Sequence, residues 1–456
     1  MKSKTLTTYT VNFEFELTST PITSTAGLAF IGQHLADSKF QRHLASICPH
    51  QRKKGRIPDA DIAKSMVGLM CVGKPHFDAI AEYRKDPFFR QALGMKKLPS
   101  PEILRQRLQA MPEKAGDAFR GFTIRRLAGN AELLSEELHG TDYSVIHVDV
   151  APMDNSDTKK EGVSWTYKGY DGYAPIFAYI GPHGFMLNNE LRKGSAHCNC
   201  EGTDEWFKQT LKMAKKVAPV RRLIVTDAGH DAGDNLELFE QAAATDFVIK
   251  RNMRTDDRAS WLELAQEQTG PGNYEKIDRG ARAWYGETEL AIPGSEDDKK
   301  LRVVFRAINR FARPDGQWLM EPEILVEAYW TSLDWDPVDI QRFYQKRGTS
   351  EQFHSELKTD MGFERLPSGK FTANQHLLDL AMIAYNMLRL LGQRSLGSGL
   401  VPGRKSKSQR LRLRTVMQNL IYMAGRIVYH ARRHFLRIFQ GHGWAPAAMA
   451  MARGPD

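Results

Sequence analysis

Cysteine is scarce. Four residues in 456 give no material for a disulfide framework, so a reducing, cytoplasmic setting is the default. Long apolar runs are missing as well: a membrane span needs about 18 or more consecutive apolar residues, and the best stretch, 377–391, is broken by Asp379 and Arg389. The opening residues, Met1-Lys2-Ser3-Lys4 and then a Thr-rich run, lack the apolar centre of a secretory signal. There is no internal repeat and no long low-complexity segment. Acidic residues are nearly absent from one end, where residues 401–456 hold 11 Lys and Arg against Asp456 alone. The other 400 residues carry 53 charges of each sign, so the net +10 resides entirely in that tail. It suits a polyanionic partner or, more plainly, a solvated basic face. What is present is ordinary in amount, 41% hydrophobic and 26% charged, which excludes a disordered or fibrous chain. At roughly 150 residues per unit, about three structural units are expected.

Residues 1–24, rich in Thr and Ser, read as an arm or an edge strand. From 26 to 111 the pattern is helical: Leu28, Ile31, Leu35, Phe40, Leu44 and Ile47 recur near helical spacing, as do Ile62, Met66 and Met70. Ser100 as cap and Pro101 as first residue open a short basic helix carrying Arg105 and Arg107, preceded by Lys96 and Lys97. Such a helix suits DNA contact or is plain surface. The middle then changes period. A β-type run at 143–150 is followed by a polar, Gly-containing stretch at 159–171. A hairpin, 174–180 with 185–191, turns at Gly181-Pro182-His183-Gly184. A helix (204–217), a strand (222–227), a helix (235–244) and a strand (247–250) complete the run.

Three strands, helix, strand, helix, strand is the opening of a ribonuclease H-like fold, whose last element is one more helix. Residues 255–330 alternate polar and apolar with Gly and Pro punctuation and read as an inserted β-rich subdomain. Asp336 as N-cap, Pro337 and Asp339 then start a helix that runs through Tyr344 and Glu351 towards Met361, with Gly348 the place for a break. An apolar helix spans 374–392. The expected fold is α/β: a helical N-terminal DNA-binding domain (1–135), a ribonuclease H-like catalytic core in two parts (136–254 and 331–400), the β-rich insertion (255–330), and a basic helical C-terminal region (401–456).

Tyr344, Arg347, Glu351 and Lys358 stand at offsets 0, 3, 7 and 14. At about 100° per residue they fall within roughly 60° of one another, so one helix face carries a phenol, two cations and a carboxylate. A carboxylate can hold a divalent metal while Arg and Lys grip phosphates beside it; a solvated face with an Arg347–Glu351 ion pair is the plainer alternative. Asp149 lies near the end of the first strand and Asp227 ends the fourth, which is its neighbour in this fold. Three converging carboxylates repel unless cations bind, the logic of a two-metal site for in-line phosphoryl transfer. Turn or capping roles suit either Asp alone, and Asp142, Asp154, Asp157, Asp231 and Asp234 compete for the same role. His197-Cys198-Asn199-Cys200 looks like half a zinc site without a second half.

Several segments together carry a family resemblance. They are His147-Val148-Asp149-Val150-Ala151-Pro152-Met153-Asp154, Tyr167-Lys168-Gly169-Tyr170-Asp171-Gly172-Tyr173, Thr226-Asp227-Ala228-Gly229, and Gly348-Thr349-Ser350-Glu351-Gln352-Phe353-His354. With the Tyr-x2-Arg-x3-Glu-x6-Lys spacing met by Tyr344, Arg347, Glu351 and Lys358, the chain resembles, from about residue 26 to 440, bacterial insertion-sequence transposases of the DDE type. Within these it resembles the thirteen-eighty family, distantly related to piggyBac. The resemblance implies Asp149, Asp227 and Glu351 as the catalytic, metal-holding triad, with Glu351 preferred to Glu356. It implies two Mg2+ ions, with Mn2+ able to substitute. It implies Tyr344, Arg347 and Lys358 on the phosphates of the element's end. The partners implied are double-stranded DNA, both terminal inverted repeats and target, and a second copy of the chain in a homodimer that holds two ends. No membrane partner is expected; the protein would act in the bacterial cytoplasm, on the nucleoid. His147 stands where relatives often carry a second aspartate, and His354 reads as structural or as a DNA contact. Trp330 could stack on an extruded base; a packed strand-end Trp is the alternative. The basic surfaces around Arg105 and Arg107, and around Arg412 and Arg433, are the candidates for DNA contact. A catalytically silent DNA-binding protein derived from such an enzyme, and a nuclease without end preference, are the rival readings.

Overall fold

The computed structural model describes residues 17–48, 57–295, 299–313, 315–403 and 409–453. Strand β1 (Ile22–Thr23) is followed by helices Leu28–Leu35, Ser38–Ile47, Asp59–Cys71, Pro87–Ala92, Pro101–Gln109 and Ala115–Ala128. The helical reading of this region holds, including the start at Ser100, whose hydroxyl accepts from Ile103 N at 3.3 Å. Leu28, Ile31, Leu35, Phe40 and Leu44 are buried, as the spacing predicts. These helices do not close a core of their own. Their apolar faces join one cluster with helix Phe371–Gly397, which is buried on nearly every side because its apolar residues run all round it.

The middle of the chain supplies β2 (Glu136–Leu138), β3 (Thr141–Val150), β4 (Met153–Asp154), β5 (Ser164–Trp165), β6 (Asp171–Tyr173), β7 (Ile176–Ile180) and β8 (Phe185–Glu190). Helix Thr203–Val217, β9 (Arg221–Thr226), helix Gly233–Gln241 and β10 (Thr245–Lys250) follow. This is the element order read from the sequence, with the polar stretch resolved into a small sheet of order β4-β6-β5. The large sheet runs β8-β7-β3-β9-β10 through this region, with β3, β9 and β10 mutually parallel and β7 antiparallel to both of its neighbours, β3 and β8.

The β-rich segment departs from expectation in one respect. After helix Arg258–Thr269, strands β11 (Glu275–Asp278), β12 (Ala281–Ala291), β13 (Lys300–Ala312) and β14 (Trp318–Thr331) form a meander. It does not stand apart as a separate subdomain: β14 pairs antiparallel with β10 at Val248↔Thr331, Ile249↔Trp330 and Lys250↔Tyr329, so all four strands prolong the same mixed sheet to ten strands. The physical reason lies in β10, which would otherwise expose an unpaired edge of apolar residues.

The helix begun by Asp336, whose side chain accepts from Val338 N at 2.9 Å, also breaks. It spans Pro337–Gln345, turns at Lys346 and Arg347, resumes as Gly348–Ser355 and ends in a wider π-type turn over Glu356–Asp360. The interruption falls next to Gly348, the residue of weakest helical preference in the run.

The tail is where the helical expectation for 401–456 fails. Helices Leu413–Val416 and Ala445–Arg453 flank a hairpin of β15 (Gly425–His430) and β16 (Arg433–Ile438), and β15 pairs with β1. Alternating Ile427, Tyr429 and Phe435, Arg437 carry a two-residue period, and the β-branched and aromatic content favours strand. Ala431 and Arg432 make the two-residue turn with φ of 50° and 62°, the positive-φ pair that matches strand twist. Arg404, Lys405 and Lys407 lie outside the described residues. Among the described residues no helix is long and apolar enough to cross a membrane.

Candidate active site

Parallel strands in register bring two distant carboxylates side by side. β3 and β9 pair at Val145↔Leu223 and His147↔Val225; two residues further on, Asp149 and Asp227 stand level at the ends of strands that lie about 4.8 Å apart. Both side chains are partly open to solvent, 27% and 39% exposed. Asp149 Oδ1 accepts from Val150 N at 2.9 Å. Asp227 Oδ1 accepts from Gly229 N at 3.1 Å and lies 3.0 Å from Nδ1 of the buried His230. Burial opposes ionisation of Asp227, yet the His230 contact and the charges of His230 and Arg347 hold its carboxyl below the ordinary aspartate value.

Arg347 is the cation between them. It donates from Nη2 to Val148 O and from Nη1 to the Tyr344 hydroxyl, each at 3.0 Å, and lies 3.8 Å from Asp149. The Tyr344 hydroxyl in turn donates to Thr226 O at 3.1 Å. The two residues thus bind the helix junction to the carbonyls just before each aspartate. Burial works against the Arg347 charge, but Tyr344, Asp149 and Asp227 more than offset it and raise its pKa. In this arrangement the polar groups of Tyr344 and Arg347 face the strand ends and not solvent. Lys358, two turns beyond Glu351, donates to Pro152 O and lies 3.4 Å from Glu364.

Glu351 sits on the same helix face, one turn after Arg347. His354, three residues on, places Nε2 at 3.5 Å from Asp149. Glu351 itself is exposed, with no hydrogen-bond or ion-pair partner among the described residues. The structure brings Asp149 and Asp227 together and carries Glu351 on a helix fastened to β3 on either side of it. It does not gather all three: among the described residues no group of three His, Cys, Asp or Glu is placed to hold a metal ion. The nearby Glu356 faces the other way, buried and paired with Arg389 and Arg410.

The rival aspartates have other engagements. Asp231 accepts from Trp330 Nε1 at 2.9 Å and from Asn252 N at 2.7 Å. Asp154 accepts from Ser156 N at 2.8 Å, Asp234 lies in the first turn of its helix, and Asp157 occupies a positive-φ turn. Asp142 is exposed on β3. Trp330 is 1% exposed, in the sheet between β10 and β13, so its ring faces offer nothing to a base in this conformation. Arg105 is exposed and paired with Glu102, whereas Arg107 is pulled inward onto Asp59 and Ile57 O. Arg412 bonds Asp360 at 2.8 Å and Ser355 Oγ at 3.2 Å; Arg433 is exposed at the start of β16. Burial and the Arg347 charge push His147 down to about 3, which keeps its imidazole neutral in the sheet.

Three neighbours of the carboxylate pair went unnoticed as such in the sequence. His230 had a signal, standing three residues after Asp227 in Asp-Ala-Gly-His. Cys198 packs against Gly229, and burial together with the charges of Asp227 and Asp149 lifts its thiol to about 11. Tyr167 places its hydroxyl 3.4 Å from Val150 O. Only folding brings the last two near.

Among solved structures the chain is similar to the piggyBac transposase in a synaptic complex with hairpin DNA, at 12% identity and a TM-score of 0.43, over 88% of this chain and 80% of that one. No curated protein matches it. The family model described as transposase DDE domain group 1 matches residues 8–452. That match spans nearly the whole sequence, and the chain belongs to the DDE transposase domain group 1 family.

Proposed function

We propose that the protein is a transposase that binds the terminal inverted repeats of a mobile element, cuts there and joins the freed 3′ ends to target DNA. Asp149, Asp227 and Glu351 are its catalytic carboxylates in this reading. The observation that carries it is the level placement of Asp149 and Asp227 at the ends of parallel β3 and β9, in a chain of the DDE family. The strand order β8-β7-β3-β9-β10 with its interleaved helices supports a ribonuclease H-like core, and the Tyr-Arg-Glu-Lys spacing supports the thirteen-eighty group.

The donor set fits hard divalent cations: two partly exposed carboxylates, oxygen only, one of them held ionised by its surroundings. Asp149 and Asp227 would hold Mg2+, or Mn2+ in its stead, with Glu351 as the third carboxylate of the proposed set. Bound there, such ions would supply Lewis-acid activation of the attacking water or 3′-hydroxyl and charge stabilisation for the leaving oxygen. Arg347 and Tyr344 fix the strand ends in register, and His230 keeps Asp227 oriented and charged. Lys358, Arg105 and Arg433 are the phosphate contacts we favour, on duplex DNA held by a homodimer in the bacterial cytoplasm.

Asp149→Ala, Asp227→Ala and Glu351→Ala each abolish Mn2+-dependent cutting of DNA carrying the element's ends, while gel-shift affinity for that DNA survives. Cutting retained by Glu351→Ala removes Glu351 from the triad. The ungathered third carboxylate favours a second reading, a silent DNA-binding descendant; absence of cutting by the unaltered protein in Mg2+ and Mn2+ alike selects it.

A further inference from the structure

The small sheet β4-β6-β5 presents a feature that the catalytic reading leaves unused. Trp165, the last residue of β5, and Tyr167, in the turn that follows it, are each 65% exposed, with the buried Thr166 between them, so both rings are open to solvent. Neither ring has an aromatic partner among the described residues. Large rings left this open forgo the stabilisation that burial gives apolar side chains of their size.

The platform is also rigid. Thr166 donates from N and Oγ1 to Tyr170 O at 2.9 and 2.8 Å, and Gly169, at φ +84°, closes the turn with its N donating to Thr166 O at 3.0 Å. Trp165 pairs with Asp171 across β5 and β6. Behind them Gly194 packs so closely that an added Cβ would meet Ser164 O at 2.1 Å and Gly172 O at 2.5 Å. Tyr167 is tied to the end of β3 by its hydroxyl, 3.4 Å from Val150 O, next to Asp149. The charges of Asp149 and Asp227 both reach that hydroxyl. Lys168 lies over the Tyr167 ring at 5.4 Å, and Lys159 and Lys168 are exposed.

We infer that Trp165 and Tyr167 form a stacking site for an unpaired nucleobase of a DNA strand whose backbone lies at the Asp149–Asp227 pair, with Lys168 beside it for phosphate. The inference rests on the transposase reading and deepens it. Rings of this kind accept any base face, and the neighbouring ammonium answers the strand's charge, which is how single-stranded nucleic acid is held without sequence readout. The site takes the role that the sequence suggested for Trp330, which the fold seals inside the sheet.

The test uses the full chain in EDTA with two DNAs of equal length and salt: a blunt duplex, and the same duplex frayed at one end by mismatches that include 2-aminopurine. Trp165→Ala and Tyr167→Ala each weaken binding of the frayed DNA about tenfold, leave the blunt duplex within twofold, and restore the 2-aminopurine fluorescence that the unaltered protein quenches. Trp165→Phe and Tyr167→Phe keep both properties, since the ring remains. Equal losses on the two DNAs, or no loss on either, overturn the stacking site while leaving the transposase reading intact. Failure of the unaltered protein to bind either DNA at low salt overturns both.

Discussion

Two pairs of carboxylates lie on opposite sides of the segment 348–360, and the chain treats them in opposite ways. Glu356 and Asp360 are buried and answered: Arg389 and Arg410 pair with Glu356, and Arg412 and Arg414 pair with Asp360. Asp149 and Asp227 are more open: one guanidinium, that of Arg347, lies by both and is itself engaged with Val148 O and Tyr344, and the imidazoles of His354 and His230 lie 3.5 and 3.0 Å from them. Two acids with one shared guanidinium are less fully countered than two acids with two guanidinium groups each. Carboxylates that are fully matched hold a fold together, and those left short of counter-charge at a rigid strand end can take up ions or bind phosphate-bound metal. Residue type alone does not separate the two pairs.

The largest effect on this contrast comes from the matched side. Glu356→Leu leaves Arg389 buried without its partner and costs about 3–5 kcal/mol, seen as a lowered urea midpoint. Adding Arg389→Met to it restores much of the loss, because the uncompensated charge goes too.

Asp379 is an intermediate case, fully buried with Arg120 at 3.9 Å and Asn189 and Gln375 beside it. Burial raises its pKa from 3.8 to about 7, so its contribution to stability is complete below 3.8 and is lost as pH climbs towards 7. Asp379→Asn escapes that loss and gains a few kcal/mol over the unaltered protein at pH 8. The gap closes as pH falls through the same window, which thermal melts at several pH values follow.

On the unmatched side, the proposed site predicts that Mg2+ at about a hundred times its dissociation constant stabilises the native protein by about 2.7 kcal/mol. In Asp149→Asn and Asp227→Asn that rise in Tm disappears, while without Mg2+ the loss of stability stays small, since both side chains are partly open to solvent. A large loss of stability on removing either acid would place the pair with the matched kind. The smallest change is Arg412→Gln: the arginine is half exposed, and its ion pair contributes no more than about 1 kcal/mol.

Strand and helix order from Tyr143 to Lys250 was legible because periodicity of two and of 3.6 alternates cleanly there, with turn residues between. The strand-end positions of Asp149 and Asp227 followed from that order. The insertion's continuity with the sheet was not legible, since the pairing of β14 with β10 joins residues about 80 apart and leaves no local mark. The tail misled for a different reason. A count of its arginines signals a polyanion, but Arg410, Arg412 and Arg414 meet their anions on residues 356 and 360, a match visible only in three dimensions. Trp330 misled in the same way, because a strand-end tryptophan reads alike whether it faces solvent or, as here, bonds Asp231 inside the sheet.

The docking of residues 409–414 on the 348–360 segment bears on how the gene can be dissected. A fragment stopped near residue 400 would strip Glu356 and Asp360 of three counter-ions and leave β1 without the strand it pairs with. Expression trials that trim the chain there should return insoluble product, and a workable minimal fragment has to keep residues 409–438.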